Sequence, residues 1–352
     1  MEVALQNPLI LSNIFSNLDF ASLKSARATC YTWADVAAHP LGKKSVLKVR
    51  KLFPQCCTVT PLPHYFPPRM AVHVDMSLKC GGIVTGNYSH SGKKESRAAA
   101  VNISTFLSTC HKSIETITVT NNFAWPVFES LAQLEFPKLK TFSLVGGDFF
   151  NGITYKKDLS PFPVRKSITC LELKEPRVFD KFMGEFYPSF QQLIESSPNL
   201  ETLKIVESFT PTLTSCKKLK ILDYCGFPED YEAGYSAHRE FGEFDIESML
   251  DMMEEVKDSL QILTIGCRHD LFCYHVMVEL DDYEIPVMAK LEKMFVNGVI
   301  IDGLKRTLNE GKNFPKLQNL RLTSNYEPDN YEQVEQDFLC SGVIVVINMV
   351  KT

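Results

Sequence analysis

The 352-residue sequence has no long apolar run and no strong excess of one charge. No segment reaches the roughly 18 consecutive apolar residues that a membrane helix needs, and the N-terminus lacks the basic stretch that opens a signal peptide. The net charge is −5, from 37 basic and 42 acidic residues, so the positive field typical of nucleic-acid-binding proteins is missing. We therefore expect a protein of the cytoplasm or nucleus, with neither nucleic acid nor a membrane as its partner.

The motifs of common enzyme classes are also missing. The sequence has no His-Glu-x-x-His zinc motif, no Gly-x-Ser-x-Gly nucleophile elbow and no glycine-rich dinucleotide fingerprint. Residues 86–94 (GNYSHSGKK) are only superficially similar to a phosphate-binding loop. Five residues separate the two glycines where four are required, and Lys94 stands where Ser or Thr should be. We predict a surface loop there, and we expect neither a catalytic residue nor a cofactor.

The 11 cysteines lack the spacing of a disulfide framework or a zinc knuckle. Without a Cys-x-x-Cys pair or a secretion signal, we predict reduced thiols, most of them buried in the core. The glycosylation sequons at Asn87 and Asn102 then remain unmodified. The two Cys-x-His pairs that begin at Cys267 and Cys273 could supply four zinc ligands. Their five-residue gap and strand-like alternation favour core cysteines, so we expect no metal site.

The first fifty residues predict three short helices. Asn7 is a favourable N-cap and Pro8 suits the first helical position, while Asp19 and Thr29 predict the caps of the next two helices. The third helix is expected to end at His39-Pro40-Leu41-Gly42. Apolar residues follow the first cap at helical spacing: Ile10, Leu11, Ile14, Phe15 and Leu18. Three short helices bury little surface, so these side chains must pack against the rest of the chain or a partner.

This segment resembles an F-box over about residues 5–45. The resemblance rests on PLILSNIFSNLD at residues 8–19 and on Cys30-x-x-Trp33. It departs from the family at Leu9, where the family has Glu, and at residues 40–42, where the family ends in Leu-Trp. The resemblance implies that apolar helix faces bind a Skp-type adaptor through Pro8, Leu9, Leu11, Ile14, Phe15, Leu18, Leu23 and Trp33. An unrelated helical cap on the downstream domain is the alternative.

Residues 51–112 read as a transition segment. Five prolines between residues 54 and 68 exclude a long helix. Alternating apolar residues over 70–76 predict a half-buried strand, and the spacing over 98–110 predicts a helix. The basic run over 43–51 predicts a solvated surface, with a phosphate contact as the alternative.

From residue 113 the pattern apolar-x-x-apolar-x-apolar recurs in eight copies. The last two apolar positions point to one face of a short strand, and the first lies on the turn into it. The copies are Ile114/Ile117/Val119, Leu139/Phe142/Leu144, Ile168/Leu171/Leu173, Leu200/Leu203/Ile205, Leu219/Leu222/Tyr224, Leu260/Leu263/Ile265, Leu291/Met294/Val296 and Leu317/Leu320/Leu322. Stacked strands with helices between them would bury this face in one continuous core.

The intervals between the copies predict the remaining elements. Helical spacing favours helices over 125–134, 190–196, 246–256 and 299–308, and the apolar run 343–350 predicts a last buried strand. The acidic segment 229–258 has 11 acidic residues against two basic ones. It predicts a solvated helix or loop, with docking of a basic substrate as the alternative.

The recurring pattern resembles leucine-rich repeats in the irregular form common after F-boxes. The predicted fold class is therefore α/β. We expect a three-helix F-box over 1–50, a transition with the first strand and helix over 51–112, and an irregular leucine-rich-repeat solenoid over 113–352. Its curved parallel sheet would lie on the concave side, with helices and loops behind. A generic α/β domain with leucine-rich strands is the alternative.

Strand positions between the core residues should face the concave side, where such scaffolds bind. These positions are Thr118, Ser143, Glu172, Lys174, Lys204, Asp223, Thr264, Phe295 and Arg321. The candidate substrate-binding residues among them are Glu172, Lys174, Lys204, Asp223, Phe295 and Arg321.

Together the two resemblances imply a substrate-recognition adaptor of a Skp–cullin–F-box ubiquitin ligase. Its partners would be a Skp-type adaptor, a cullin and a RING protein through that adaptor, and a substrate protein of unknown identity. The chain would work by proximity and would do no chemistry itself. The first alternative is an interaction scaffold without ubiquitin transfer, and the second is an enzyme of unknown class.

Overall fold

A computed structural model of the chain describes part of its length. The described residues are 6–53, 58–63, 66–76, 91–120, 124–145, 160–174, 187–206, 209–226, 246–267, 276–279, 284–297, 299–302, 312–324 and 344–349. They fall into two compact units, Met1–Ile168 and Thr169–Thr352. The predicted domain boundaries at residues 50 and 112 stay predictions.

The described residues are mixed α and β. The helices are α1 (Pro8–Ser16), α2 (Phe20–Arg27), α3 (Tyr31–Lys43), α4 (Ser91–Cys110), α5 (Ala124–Gln133), α6 (Tyr187–Glu195) and α7 (Ile246–Val256). The strands are β1 (Val46–Lys48), β2 (His73–Met76), β3 (Thr116–Thr120), β4 (Thr141–Val145), β5 (Cys170–Lys174), β6 (Thr202–Val206), β7 (Ile221–Gly226), β8 (Ile262–Cys267), β9 (Val276–Glu279), β10 (Lys293–Asn297), β11 (Val299–Asp302), β12 (Asn319–Ser324) and β13 (Ile344–Met349). Among these residues, no helix is both long and apolar enough to cross a bilayer.

The first two helices begin as the sequence predicts. The Asn7 side chain accepts a hydrogen bond from the Leu9 backbone N–H at 3.0 Å, and Pro8 occupies the first position of α1. Asp19 caps α2 by accepting from the Ser22 N–H at 2.7 Å. That hydrogen bond lowers the pKa of the Asp19 carboxyl, because it favours the ionised form. Both helix starts are therefore fixed by local side-chain chemistry.

The third helix differs from its prediction at both ends. Thr29 does not cap it: α3 begins after Cys30, and the Thr29 hydroxyl donates to the Ser25 carbonyl at 3.2 Å instead. The helix also continues through Pro40 to Lys43, although proline lacks the N–H of a regular helical turn. Pro40 is buried, so tertiary packing holds a turn that local propensity disfavours.

Gly42 explains how the last turn of α3 packs. A Cβ atom at this position would lie 2.5 Å from the Met70 carbonyl oxygen and 2.9 Å from Cγ2 of Val72. Only glycine allows the helix backbone to approach the segment before β2 this closely. The end of α3, where the sequence departs from the F-box pattern, is therefore a position at which the helix packs closely against the segment before β2.

Strands β1 to β4 of the first unit form a parallel sheet in chain order. Val74, Ile117 and Phe142 lie in register on its buried face. Strand β2 starts at His73, later than predicted, because Pro68–Met70 forms a turn of 3-10 helix. Helix α4 starts at Ser91, inside the predicted 86–94 loop, whose residues 86–90 lie outside the described part of the chain.

Asn102 of α4 is buried and fixes the segment that precedes β2. Its side-chain oxygen accepts from the Thr60 N–H at 3.0 Å, and its amide nitrogen donates to the Thr58 carbonyl at 2.8 Å. Only 2% of Asn102 is exposed, so this sequon is inaccessible in the folded chain. The sequon at Asn87 lies outside the described residues.

The second unit contains a parallel sheet in the order β5-β6-β7-β8-β10-β12-β13. All eight strands that the recurring pattern predicts are present in the two units, and the predicted last strand forms β13, although Val346 within it is exposed rather than buried. In the second unit the buried face carries Leu171, Leu203, Leu222, Leu263, Met294 and Leu320. Within each unit the strand order is linear, and the parallel α/β prediction is confirmed at that level.

Two predictions for the stretches between copies of the recurring pattern need correction. Residues Val299–Asp302 form strand β11, paired in parallel with β9, where we predicted a helix, because the β-branched run Val-Ile-Ile favours a strand. Helix α7 forms as predicted within the acidic segment, but it is not fully solvated. It buries Met249, Leu250, Met252, Met253 and Val256, while Glu247, Asp251 and Glu254 are exposed.

A backbone ladder joins the turns that precede the strands. The Lys220 N–H donates to the Glu201 carbonyl, and Gln261 donates to Lys220, both at 2.9 Å. Glu292 donates to Gln261 at 2.8 Å, and Gln318 donates to Glu292 at 2.9 Å. The first apolar residue of most copies also donates to the carbonyl three residues earlier. That earlier position is buried at Phe136, Arg165, Ser197, Cys216, Met288 and Phe314.

The recurring pattern therefore has a fourth buried position, which the sequence analysis missed. Arg165 occupies it with a charged side chain. Its guanidinium donates to the carbonyls of Leu131 and Leu134, the latter at 2.7 Å, at the C-terminal end of α5. Burial lowers the pKa of Arg165, and the guanidinium lies 5.7 Å from the Phe136 ring centroid. It satisfies helix-end carbonyls that would otherwise lack partners.

Five described cysteines form no disulfide and lie in different environments: Cys30, Cys110, Cys170, Cys216 and Cys225. Burial raises the pKa of the Cys110 thiol to about 12 and that of Cys216 to about 11, as expected for core residues. Cys170 and Cys225 are half-buried and Cys30 is exposed, so these three are not core residues. Of the two Cys-x-His pairs, only the backbone of Cys267, in β8, lies within the described residues.

Candidate functional site

Three of the eight predicted adaptor-binding residues lie inside the three-helix unit. Leu11, Phe15 and Leu23 are buried and pack together. The same cluster contains Ala26, Ala37 and Leu41. The helices use this apolar stripe to pack against one another. The structure gives these three residues a packing role, and their assignment as adaptor contacts stays a prediction.

Leu18 and Trp33 are neither fully buried nor fully exposed. Both pack partly against the same core. The Trp33 ring meets the Phe15 ring edge to face, with 5.3 Å between centroids and 69° between planes. Such a contact stabilises the packing of α1 on α3. Trp33 therefore belongs mainly to the core of the unit.

Pro8, Leu9 and Ile14 are exposed, as a contact role requires. Three further apolar side chains, Ile10, Phe20 and Tyr31, are exposed and were not predicted as contacts. Leu9 is 81% exposed and Tyr31 is 90% exposed. We call Leu9, Ile10, Ile14, Phe20 and Tyr31 the helical apolar surface. The missed signal was the width of the apolar arc on α1, which exceeds what one buried stripe uses.

Exposed cations lie in the three-helix unit and in the segment directly after it. The predicted basic run is exposed at Lys43, Lys44, Lys48, Arg50 and Lys51. The Lys44 Nζ donates to the Leu18 carbonyl at 2.6 Å, and the Lys24 Nζ lies 4.4 Å from the Phe20 ring centroid. Asp35 pairs with Arg69 at 3.5 Å. The solvated-surface prediction for the basic run is confirmed.

The second unit brings the predicted substrate-binding residues together on one face of its sheet. Strand register aligns Glu172, Lys204, Asp223, Thr264, Phe295 and Arg321 across six adjacent strands. We call these six residues the polar row. Lys174 lies two residues after Glu172 and so points to the same side. The alternate positions of these strands form the buried core face, so the row faces away from the core.

In the first unit, the corresponding face differs from its prediction. Thr118 is half-buried there, but Ser143 is only 5% exposed and does not face open solvent. His73 Nδ1 lies 2.9 Å from the Thr116 hydroxyl on the same face. The polar row of the second unit is therefore the more accessible of the two predicted strand surfaces.

Two lysines neutralise Glu172 within the polar row. The Lys174 Nζ lies 2.9 Å from one carboxylate oxygen, and the Lys204 Nζ lies 3.2 Å from the other. Burial opposes ionisation of Glu172, but the two lysine hydrogen bonds outweigh it and lower the pKa of the carboxyl. The hydrogen bond to Glu172 raises the pKa of Lys204 in turn. Glu172, Lys174 and Lys204 therefore form a compensated cluster, in which the lysines offset the charge of the carboxylate.

Asp223 lies next to this cluster, and the pKa of its carboxyl shifts in the opposite direction to that of Glu172. Burial raises the pKa of its carboxyl, although Lys204 and Lys174 partly oppose that effect. Within the described part of the chain, its carboxylate makes no ion pair and no hydrogen bond. The row thus combines a compensated carboxylate with an anion that lacks a close cation.

The arrangement suits recognition of a complementary surface. Rigid strands hold charged, polar and aromatic side chains in fixed register. Among the described residues, no group of three or more His, Cys, Asp or Glu side chains is arranged to hold a metal ion. The sequence matches no family model and no curated protein. The F-box and leucine-rich-repeat resemblances therefore rest on the residues of this chain.

Proposed function

We propose that this chain is a non-catalytic substrate-recognition adaptor of a Skp–cullin–F-box-type ubiquitin ligase. Its three-helix unit binds a Skp-type adaptor, and the polar row contacts the substrate protein. The chain then acts by holding a substrate lysine near a charged conjugating enzyme. A cullin and a RING protein join through the Skp-type adaptor.

The observation that carries the proposal is the helical apolar surface. Ile10 and Ile14 are four residues apart and therefore share one face of α1, next to the highly exposed Leu9. A unit this small already has a closed core in Leu11, Phe15 and Leu23. Exposed apolar side chains beyond that core mark a surface that another protein covers.

The separation of core from surface narrows the proposed contact. Of the residues that the F-box resemblance implies, Pro8, Leu9 and Ile14 remain as direct contacts. Ile10, Phe20 and Tyr31 join them because they are exposed on the same unit. Trp33 and Leu18 support this surface from within.

The test is co-expression of the full chain with a Skp-type protein, followed by size-exclusion chromatography. We expect a stoichiometric complex for the wild-type chain. The double variant Leu9→Ser and Ile14→Ser should lose it and remain folded, because both side chains are exposed. The matched control is Val101→Ser with Val164→Ser, which replaces two exposed valines elsewhere in the first unit.

Point variants test the contact better than deletion of residues 1–45. Such a deletion removes Gly42 and exposes the backbone around Met70 that packs against it. Absence of a complex with a folded wild-type chain would overturn the adaptor proposal. A complex that survives the double variant would move the contact away from the helical apolar surface.

A further inference from the structure

The polar row contains two carboxylates, Glu172 on β5 and Asp223 on β7, and their surroundings differ. Glu172 contacts two lysines at 2.9 Å and 3.2 Å. Asp223 is aligned with Lys204 and Thr264 on its neighbouring strands, and no described side chain pairs with its carboxylate. Lys204 is already committed to Glu172. The row therefore holds one anion that its own cations do not neutralise.

An anion in this position is costly to the folded chain. Removing a carboxylate from bulk water carries a penalty unless a cation or hydrogen-bond donors replace the lost solvation. Position 223 also contributes nothing to the core, because the buried face of β7 is formed by Leu222 and Tyr224. A residue that lowers stability without a packing role is typical of a binding position.

We propose that Asp223 anchors a positively charged side chain, an arginine or lysine, of a protein segment that crosses the polar row. This inference rests on the proposed role of the row as a substrate surface and names the chemistry of that substrate. The incoming cation would complete the pairing that Asp223 lacks, as the lysines complete it for Glu172. A macromolecular segment is favoured because the six aligned strands span about 24 Å, at roughly 4.8 Å per strand.

Phe295 adds a second requirement to the same segment. It is half-buried on the same face, two strands from Asp223, which corresponds to about 10 Å. Thr264 lies between Asp223 and Phe295 and is uncharged, so the part of the segment that crosses it needs no charge. An extended peptide advances about 3.3 Å per residue and alternates its side chains between two sides, so a cation and an apolar residue two or four positions apart, about 7 or 13 Å, would both face the row and reach these two residues. The preferred segment therefore carries a basic residue and an apolar residue at that spacing.

The probe for this inference is a positional library of nine-residue peptides, applied to the full-length chain. One position at a time is fixed as Arg, Lys, Ala or Glu, and binding is read by fluorescence anisotropy of the labelled pools. We expect one position at which Arg or Lys binds at least about tenfold more tightly than Ala, and at which Glu abolishes binding. Equal binding of the Arg, Ala and Glu pools would overturn the inference.

Three variants assign the preference to Asp223. Asp223→Asn should remove the basic preference, and Asp223→Lys should reverse it toward Glu. The matched control is Asp251→Asn, the same chemical change at an exposed position on α7. Persistence of the basic preference in Asp223→Asn would contradict the inference. Thermal unfolding of each variant verifies that the chain is folded.

This test fails separately from the proposed function. A Skp-type complex with no basic preference would retain the adaptor proposal and remove only the substrate chemistry. A basic preference that depends on Asp223, in a chain that binds no Skp-type protein, would retain a binding face and remove the ligase role. If a segment of this chain already paired with Asp223, Asp223→Asn would destabilise the protein, which also contradicts the inference.

Discussion

The rings of Phe15 and Trp33 meet edge to face, 5.3 Å apart between centroids, and join α1 to α3. Phe15 is 1% exposed, whereas Leu9, on the same helix, is 81% exposed. One helix therefore serves two purposes, an internal core and an outward apolar surface. This separation allows stability and binding to be altered independently.

Phe15→Ala should unfold the three-helix unit locally. Truncation of a buried phenylalanine typically costs about 3–5 kcal/mol, which a small unit cannot absorb. Hydrogen–deuterium exchange over residues 8–43 should show loss of protection. Leu9→Ala is the matched control and should leave exchange unchanged, because its side chain is exposed. Equal protection in both variants would show that Phe15 is not a core residue.

Gly42→Ala should destabilise the first unit by roughly 1–3 kcal/mol, as overpacking does. The added methyl group would meet the Met70 carbonyl oxygen, and a backbone atom cannot rotate away. Urea unfolding of the full chain provides the measurement. The exposed neighbour Lys43→Ala is the control and should change the midpoint little. A Gly42→Ala chain as stable as the wild type would contradict the close approach.

Asn102→Asp should destabilise the same unit by about 1–3 kcal/mol. The new carboxylate retains the bond from the Thr60 N–H but cannot donate to the Thr58 carbonyl, 2.8 Å away. Chemical denaturation at neutral pH should show a lower midpoint. Asn13→Asp, at an exposed position on α1, is the control. Unchanged stability would mean that Asn102 does not hold residues 58–60 in place.

Asp223→Asn should stabilise the folded chain at neutral pH. Because burial raises the pKa of Asp223 in the folded state above the ordinary 3.8, the folded state holds its proton more tightly than the unfolded state. Its contribution to stability therefore falls as pH rises from 3.8 through the raised pKa. Thermal midpoints of wild type and variant should differ most above that window and converge below it. A variant less stable at neutral pH would contradict an unpaired Asp223.

The repeating strands could be predicted because their signal is periodic. Each copy places two apolar residues two positions apart, and the same pair is buried in strand after strand. The turn position before most copies was missed because its residue types vary, from Phe136 and Met288 to Ser197 and Arg165. It is buried whichever of these side chains occupies it, so hydrophobicity alone does not reveal it.

The features that failed depend on tertiary contacts. Helical spacing identified the apolar residues of α1, but only packing decides that Phe15 is internal and Ile14 external. Continuation of α3 through Pro40 likewise depends on burial of its last turn. The state of Asp223 was also unpredictable, because strand register places Lys204 between Glu172 and Asp223 and only the side-chain geometry pairs it with Glu172. Sequence patterns identify the helices and strands, but only the fold determines which side chains pack or pair with one another.

Assembly of the full chain with a Skp-type protein, a cullin and a RING protein is the decisive experiment for the adaptor proposal. Size-exclusion chromatography with light scattering gives the mass of the resulting complex. The account predicts one complex that contains all four proteins and that excludes the chain carrying Leu9→Ser and Ile14→Ser. A complex with the Skp-type protein that never recruits cullin would support an interaction scaffold instead. No complex at all would contradict the account.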